Sequence, residues 1–244
     1  MAEQTDASPG VALVTGATSG IGRAVALKLA SDGFDVILHG RDAERGAETV
    51  RAIEEAGGHA RFVTADLADA DDVAQLAKEA GDVDVLVNNG GFSWFGPTAE
   101  LDTAAFDALF ASNVRSAYQL VAAIAPGMAS RGHGSIVSLD SMAGHVGLAG
   151  GAAYGATKAA LSALSRAWAA EFNPAGVRVN TVAPGPVSTN GASPERIELL
   201  GKTTLMGRAA DVEEIAEVIA FVASERASYV TGAVIPVDGG RTAV

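Results

Sequence analysis

Tyr154 and Lys158 stand four residues apart at the end of an Ala- and Gly-rich stretch, SMAGHVGLAGGAAYGATK, that begins at Ser141. On a helix this spacing brings a phenol and an ammonium to one face. A phenol titrates near pKa ~10, too high for ready exchange at neutral pH, and a neighbouring cation lowers it by roughly one to three pH units. The chemistry such a pair suits is protonation of an alkoxide, or the reverse. Since the same spacing also arises on ordinary solvated helix faces, its meaning depends on what else the chain supplies.

A second stretch with chemical content is Thr15-Gly16-Ala17-Thr18-Ser19-Gly20-Ile21-Gly22, directly after the apolar run VALVT (11–15) and at the start of a helical pattern from Ile21 to Ala30. Glycines between a strand and a helix permit a tight turn and let backbone N–H groups approach a pyrophosphate at the positive helix end.

The elements needed to hold these stretches together recur along the chain. Strand-like runs DVIL (35–38), RFVTA (61–65) and DVLVN (84–88) alternate with helical patterns at about 42–55 and 70–80. A long helix around 103–130, the strand SIVSL (135–139), a helix at about 152–172, the strand VRVNTV (177–182), a helix around 211–223 and a last strand near AVIPV (233–237) complete the pattern. Short β-rich runs separated by helices call for parallel strands joined by right-handed crossovers. The predicted fold is α/β: a single-domain, Rossmann-like, doubly wound parallel sheet of about seven strands with helices on both faces. Residues 1–10 read as a disordered lead and 11–244 as one catalytic domain. The helix at 152–172 is apolar around most of its circumference, which leaves either a second subunit or the chain's own loops to cover its outer side.

Composition narrows the function classes. The 244-residue chain carries a net charge of −12 with scattered basic residues, which argues against nucleic acid or anionic membrane partners. It has no cysteine, so disulfides, thiolate zinc sites and Cys nucleophiles are excluded together. His39, His59, His133 and His145 show no metal-ligand spacing, and no metal is expected. With neither a signal-peptide pattern nor a long uncharged apolar run, the expected location is cytoplasmic.

TGxxxGxG at 15–22 and YxxxK at 154–158 together resemble the short-chain dehydrogenase/reductase family, including its 3-oxoacyl-[acyl-carrier-protein] reductases. The resemblance runs from about residue 11 to 240 and gathers further positions. Asn88-Asn89-Gly90-Gly91 is similar to the family's NNAG, with Gly91 in place of the alanine and a slightly looser wall expected. Asn113 matches the helix asparagine, Ser141 stands at the substrate-polarising serine, and Pro184-Gly185, Val187 and Thr189 resemble the segment cradling the nicotinamide amide.

The resemblance implies hydride transfer between a nicotinamide and a ketone or secondary alcohol, with Tyr154 as acid or base, Lys158 tuning it and holding the ribose, Ser141 polarising the substrate oxygen and Asn113 completing a proton relay. Gly16, Thr18, Ser19, Gly20, Ile21, Gly22, Arg41, Asp66, Leu67, Asn89, Gly90 and Gly91, with Tyr154, Lys158 and the 184–189 residues, would bind the cofactor. Gly40 occupies the place where a carboxylate would repel a 2′-phosphate, and Arg41 follows it, so NADP(H) is favoured over NAD(H), unless Arg41 is spent pairing with Asp42 or Glu44. Against this, Ser19 stands where many NADPH-using relatives carry a second basic residue.

Substrate contacts are expected from Trp94 in the aromatic loop FSWFGP (92–97), from Ser141, His145 and Gly185, and from a lid after Thr189. A small or medium carbonyl compound or alcohol fits better than an acyl carrier protein. Of two docking positions, one holds Gly132 next to Arg131 and the other Ala175, so one basic contact is missing, and the net charge is −12. The alternatives are that carrier-protein reductase and a non-catalytic dinucleotide-binding sensor or scaffold. The family is commonly tetrameric, which implies a homo-oligomer.

Overall fold

The computed structural model describes residues 10–189 and 193–243; most of the expected N-terminal lead, and the first residues of the expected lid (190–192), lie outside them. Seven parallel strands form one sheet in the order β3-β2-β1-β4-β5-β6-β7. They are β1 (Val11–Val14), β2 (Asp35–Gly40), β3 (Ala60–Thr64), β4 (Val85–Asn88), β5 (Gly134–Leu139), β6 (Val177–Pro184) and β7 (Val234–Val237). The register pairs Val14 with Leu38 on one side and with Val87 on the other, so the strand order reverses on either side of β1. In such sheets the crevice outside the strand C-termini at this reversal is where ligands bind.

Strand residues alternate between two apolar layers. Ala12, Val14, Leu38, Val87 and Val137 face α1 (Gly20–Ser31), α2 (Ala43–Glu55) and α8 (Val212–Ala223). Leu13, Ile37, Leu86, Ile136 and Val179 face α3 (Ala70–Ala80), α5 (Ser116–Arg131) and α6 (Ala152–Phe172). Both layers are dry, which is why the central strands read as continuous apolar runs rather than alternating ones. Asp42, Asp69 and Asp102 accept backbone N–H groups at the starts of α2, α3 and α4 (Thr103–Phe110). At the other end of the fold the buried Arg178 guanidinium donates to the carbonyls of Val222 (2.9 Å) and Ser224 (3.0 Å), capping α8, whose last turn has no basic residue of its own.

Three local features depart from the sequence reading. The long helix expected at 103–130 is interrupted: α4 and α5 are joined by a π-helical turn, Ala111–Arg115. Such turns shift hydrogen bonding to the i+5 partner and occur mostly at functional sites. The segment beyond Thr189, expected as a mobile lid, contains a helix, α7 (Pro194–Gly201), capped by Ser193. Finally, the outer side of α6 is bare in the single chain, with Ala152, Ala156, Ala159, Ala163 and Ala167 exposed.

Candidate active site

The glycine turn is held open by its neighbours. Gly16 has φ +66°, and a Cβ there would come within 2.9 Å of Asn89 Nδ2 and Gly90 Cα; a Cβ on Gly22 would run into the Gly16 carbonyl. Thr15 Oγ1 accepts from the backbone N–H groups of Asn89 (3.0 Å) and Gly90 (2.8 Å), while Asn89 Nδ2 donates to Thr15 O (2.8 Å). The Asn89 side chain therefore ties β4 to the turn after β1. α1 begins at Gly20 with no side-chain cap and no acidic residue in its first turn. Its N–H groups remain available to an anion.

His39, for which the sequence offered no ligand role, is buried against this turn. Its Nδ1 accepts from Gly16 N (3.2 Å), and Nε2 lies 3.1 Å from Ala65 O, an arrangement that assigns the proton to Nε2. Burial holds its pKa below the usual value, consistent with a neutral ring. The alternation in β2 buries position 39 beside Gly40, but sequence could not show which backbone groups it bridges.

Two connected grooves run across the strand ends. One, of about 590 Å³, is lined by Gly16, Thr18, Ser19, Ile21, Gly22, Arg41, Asp66, Leu67, Asn89, Gly90, Gly91 and Thr189. The other, of about 350 Å³, is lined by Ser141, Tyr154, Lys158, Pro184, Gly185 and Val187, and shares Ile21, Asn89, Gly91 and Thr189 with the first. Gly20, the remaining member of the expected cofactor set, lies across from Thr189, its Cβ position 3.7 Å from the threonine methyl. The pair of grooves has the length and polarity for a dinucleotide, with a glycine cradle at the middle that any Cβ would fill.

Arg41 is exposed on the first groove and makes no ion pair among the described residues. Asp42, its supposed partner, is taken by Arg45, whose Nε lies 2.6 Å from Asp42 Oδ2. That pairing leaves the Arg41 fork free, and Arg45, which the sequence reading passed over, lines the same groove. Gly40 is equally informative: a side chain there would collide with Thr18.

At the other end, Tyr154 and Lys158 emerge from one face of α6 and line one groove with Ser141, whose hydroxyl accepts from Ala143 N (3.2 Å). The expectation that Lys158 depresses the phenol's pKa does not hold in the cofactor-free protein. Lys158 Nζ is buried and donates to Leu139 O at 2.7 Å, 5.7 Å from the Tyr154 ring centre. Burial pushes the phenol up to about 12 and the ammonium down to about 8, because both charged forms lose water.

Asn113 sits in the π-helical turn with its side chain fully engaged. Oδ1 accepts from Phe92 N (3.0 Å), and Nδ2 donates to Phe92 O (2.9 Å) and Thr157 Oγ1 (3.1 Å). Any part in a relay must come from its backbone. Gly91 is no loosened wall either: at φ +153° a Cβ would meet Asn113 Oδ1 at 2.5 Å, so this chain's asparagine geometry requires the glycine.

The substrate residues divide. Ser141 and Gly185 line the inner groove, whereas Trp94 and His145 do not. The Trp94 ring packs on Gly96, and His145 Nε2 is held by Asp140 at 2.6 Å. Of the aromatic loop's rings it is Phe92 that lines this groove. Phe95 packs beside it, its ring centre 5.5 Å from that of Tyr154, with the Arg196 guanidinium of α7 at 5.0 Å on Phe95. No group of metal-ligating side chains occurs among the described residues.

A doubly wound sheet with this glycine turn and a Tyr-Lys face over its reversal point defines a nicotinamide-dinucleotide oxidoreductase fold, and comparison with known proteins agrees. A family model described as enoyl-(acyl carrier protein) reductase matches residues 16–242. The chain is 40% identical over 242 residues to a cis-4-hydroxycyclohexanecarboxylate dehydrogenase of Sinomonas cyclohexanicum, covering 96% of this chain and 97% of that one. Among solved structures it is similar to a short-chain dehydrogenase/reductase family protein, with 51% identity, TM-score 0.90, and 98% and 100% of the two chains covered. It is also similar to a 3-oxoacyl (acyl-carrier-protein) reductase of Agrobacterium tumefaciens C58 with NADP bound, with 33% identity, TM-score 0.91, and 95% and 94% covered. The chain belongs to the short-chain dehydrogenase/reductase family, whose members are oxidoreductases acting on alcohol and carbonyl groups.

Proposed function

We propose that the protein is an NADP(H)-dependent reductase of small or medium ketones, running in reverse on secondary alcohols, in which Tyr154 exchanges the proton. The observation that carries this reading is that Ser141, Tyr154 and Lys158, from a loop and one helix face, meet on the wall of one groove that Gly185 also lines. A bound nicotinamide supplies or accepts the hydride. Tyr154, whose burial favours the protonated phenol, acts as the acid at the substrate oxygen, and Ser141 orients that oxygen. Lys158 offers its ammonium to the ribose and to the developing phenolate, and the π-helical turn at Asn113 opens a backbone path for the proton. Phe95 packs beside Tyr154.

For the coenzyme, an unpaired Arg41 and a blocked carboxylate position at residue 40 support NADP(H), and the A. tumefaciens relative was solved with NADP. The carrier-protein reading is weaker, because Arg131, the basic candidate for docking, is committed to Asp82 (2.9 Å) and Asp84 (3.2 Å). Among the described residues no helix is long and apolar enough to cross a membrane, and with the acidic composition this supports a cytoplasmic reading. The bare alanine side of α6, with Tyr118 of α5 exposed and its ring centre 6.2 Å from that of Trp168, supports assembly into a tetramer; light scattering that returned a monomer would remove that inference.

A panel of ketones with NADPH consumption as the readout, and of alcohols with NADPH formation from NADP+, tests the activity. Tyr154→Phe is expected to abolish turnover while NADPH binding, followed by its fluorescence, persists. A variant that keeps most of its turnover would end the assignment, and a wild-type protein that binds NADPH yet turns over nothing would favour the sensor or scaffold.

A further inference from the structure

Asp140, between β5 and Ser141, is a carboxylate whose side chain has no exposed surface. Oδ2 accepts from His145 (2.6 Å) and from Ser162 Oγ (2.5 Å) one turn beyond Lys158 on α6, whereas Oδ1 is buried with no hydrogen-bond partner. The loop packs tightly against α6: a Cβ on Gly144 would meet Asp140 Oδ1 at 2.7 Å and Ala159 N at 2.9 Å. Burying a carboxylate with one oxygen unpaired costs several kcal/mol unless a cation compensates it. The buried cation alongside is Lys158, whose one hydrogen bond goes to the carbonyl of the preceding residue, Leu139.

We propose that Asp140 is the counter-charge of Lys158, a positioning residue fixed by His145 and Ser162 that keeps the buried ammonium charged beside Tyr154. The part that Lys158 plays in cofactor binding and proton exchange rests on the function proposed above. Other charged groups on the neighbouring elements point elsewhere. Arg178 of β6 caps α8 at the far end of its strand, and Arg115 of the π-helical turn donates to Ala68 O, while β4 brings no ionisable residue. On the carboxylate itself are His145 from its own loop and Ser162 from α6, and Lys158 and Tyr154 of α6 line the same groove as Asp140. Its charge opposes the burial that draws Lys158 down to about 8 and adds to the burial that lifts Tyr154.

The test reads Lys158 without turnover. Lys158→Met removes the ionisation, so the melting-temperature gap between a protein and its Lys158→Met counterpart follows the charge on Lys158 as pH rises. In the isosteric Asp140→Asn background that gap should begin to close about one pH unit lower, with its upper end unchanged because the unfolded lysine is unaffected, the shift expected of roughly 1.4 kcal/mol of charge interaction. An unmoved window in a folded Asp140→Asn protein overturns the proposal. Should that variant fail to fold, His145→Ala, which admits water beside the carboxylate and screens it, should move the window the same way by less. His145→Gln, which keeps a donor, should restore it, and failure of both effects is equally fatal. NADPH binding measured over the same pH range keeps the two readings apart. Affinity that falls at the lower pH in Asp140→Asn supports both, whereas a moved thermal window with pH-independent NADPH binding leaves Asp140 as counter-charge and removes Lys158 from the cofactor site.

Discussion

Lys158→Met should make the cofactor-free protein more stable at neutral pH, and the gain should vanish in alkali. Burial moves this ammonium from the ordinary 10.5 to about 8. That corresponds to roughly 3 kcal/mol in favour of the neutral amine. The folded pKa lies below the unfolded one, so below about pH 8 both states hold the proton and folding carries the full cost of burying a charge. Between about pH 8 and 10.5 the unfolded chain binds more protons than the folded one, and wild-type stability rises by about that 3 kcal/mol. Methionine has a similar reach and no charge, but forfeits the bond to Leu139 O, worth about 1 kcal/mol. The net gain at pH 7 is about 2 kcal/mol, or about 4–8 °C in melting temperature for a chain of this size. Thermal unfolding of both proteins across that range measures it. A gap that stays constant from neutral to alkaline pH would refute the reasoning, because it would mean that the amine does not change charge inside the fold.

Arg41→Asp should reverse the coenzyme preference: loss of a charge-assisted phosphate contact is worth about 1.5–3 kcal/mol, or roughly 10- to 150-fold in the ratio of kcat/KM for NADPH over NADH. An unchanged ratio would remove Arg41 from phosphate recognition. Gly91→Ala, which sets a methyl against Asn113, should cost about 1–3 kcal/mol in denaturant unfolding and weaken NADPH binding with it. An alanine variant of wild-type stability would show that the asparagine can move aside. These join the turnover test on Tyr154 and the shifted pH window on Asp140.

The fold was legible because its signals are local and repeated. Most strands are β-rich runs too short for a helix, most helix starts carry an aspartate or a glycine turn, and parallel strands need crossovers, so the doubly wound sheet follows from element order. The π-helical turn was not legible, because α4 and α5 share one helical period and the break is enforced by Asn113 reaching Phe92 and Thr157. The helix α7 was missed because its eight residues offer few apolar positions, and its cap, Ser193, reads as any loop serine.

Residue types and spacing by themselves determined which side chains could exchange a proton and which turn could cradle a pyrophosphate, since one helical face and one strand-to-helix turn are properties of a few consecutive residues. Tertiary structure alone decided the electrostatics around them. Whether Lys158 lowers the phenol or is itself starved of water, whether Arg41 is free or paired, and whether Asp140 lies beneath the site all depend on burial and on partners from distant strands. Desolvation is set by everything packed around a charge, and that surrounding exists only once the sheet and its helices have closed over it.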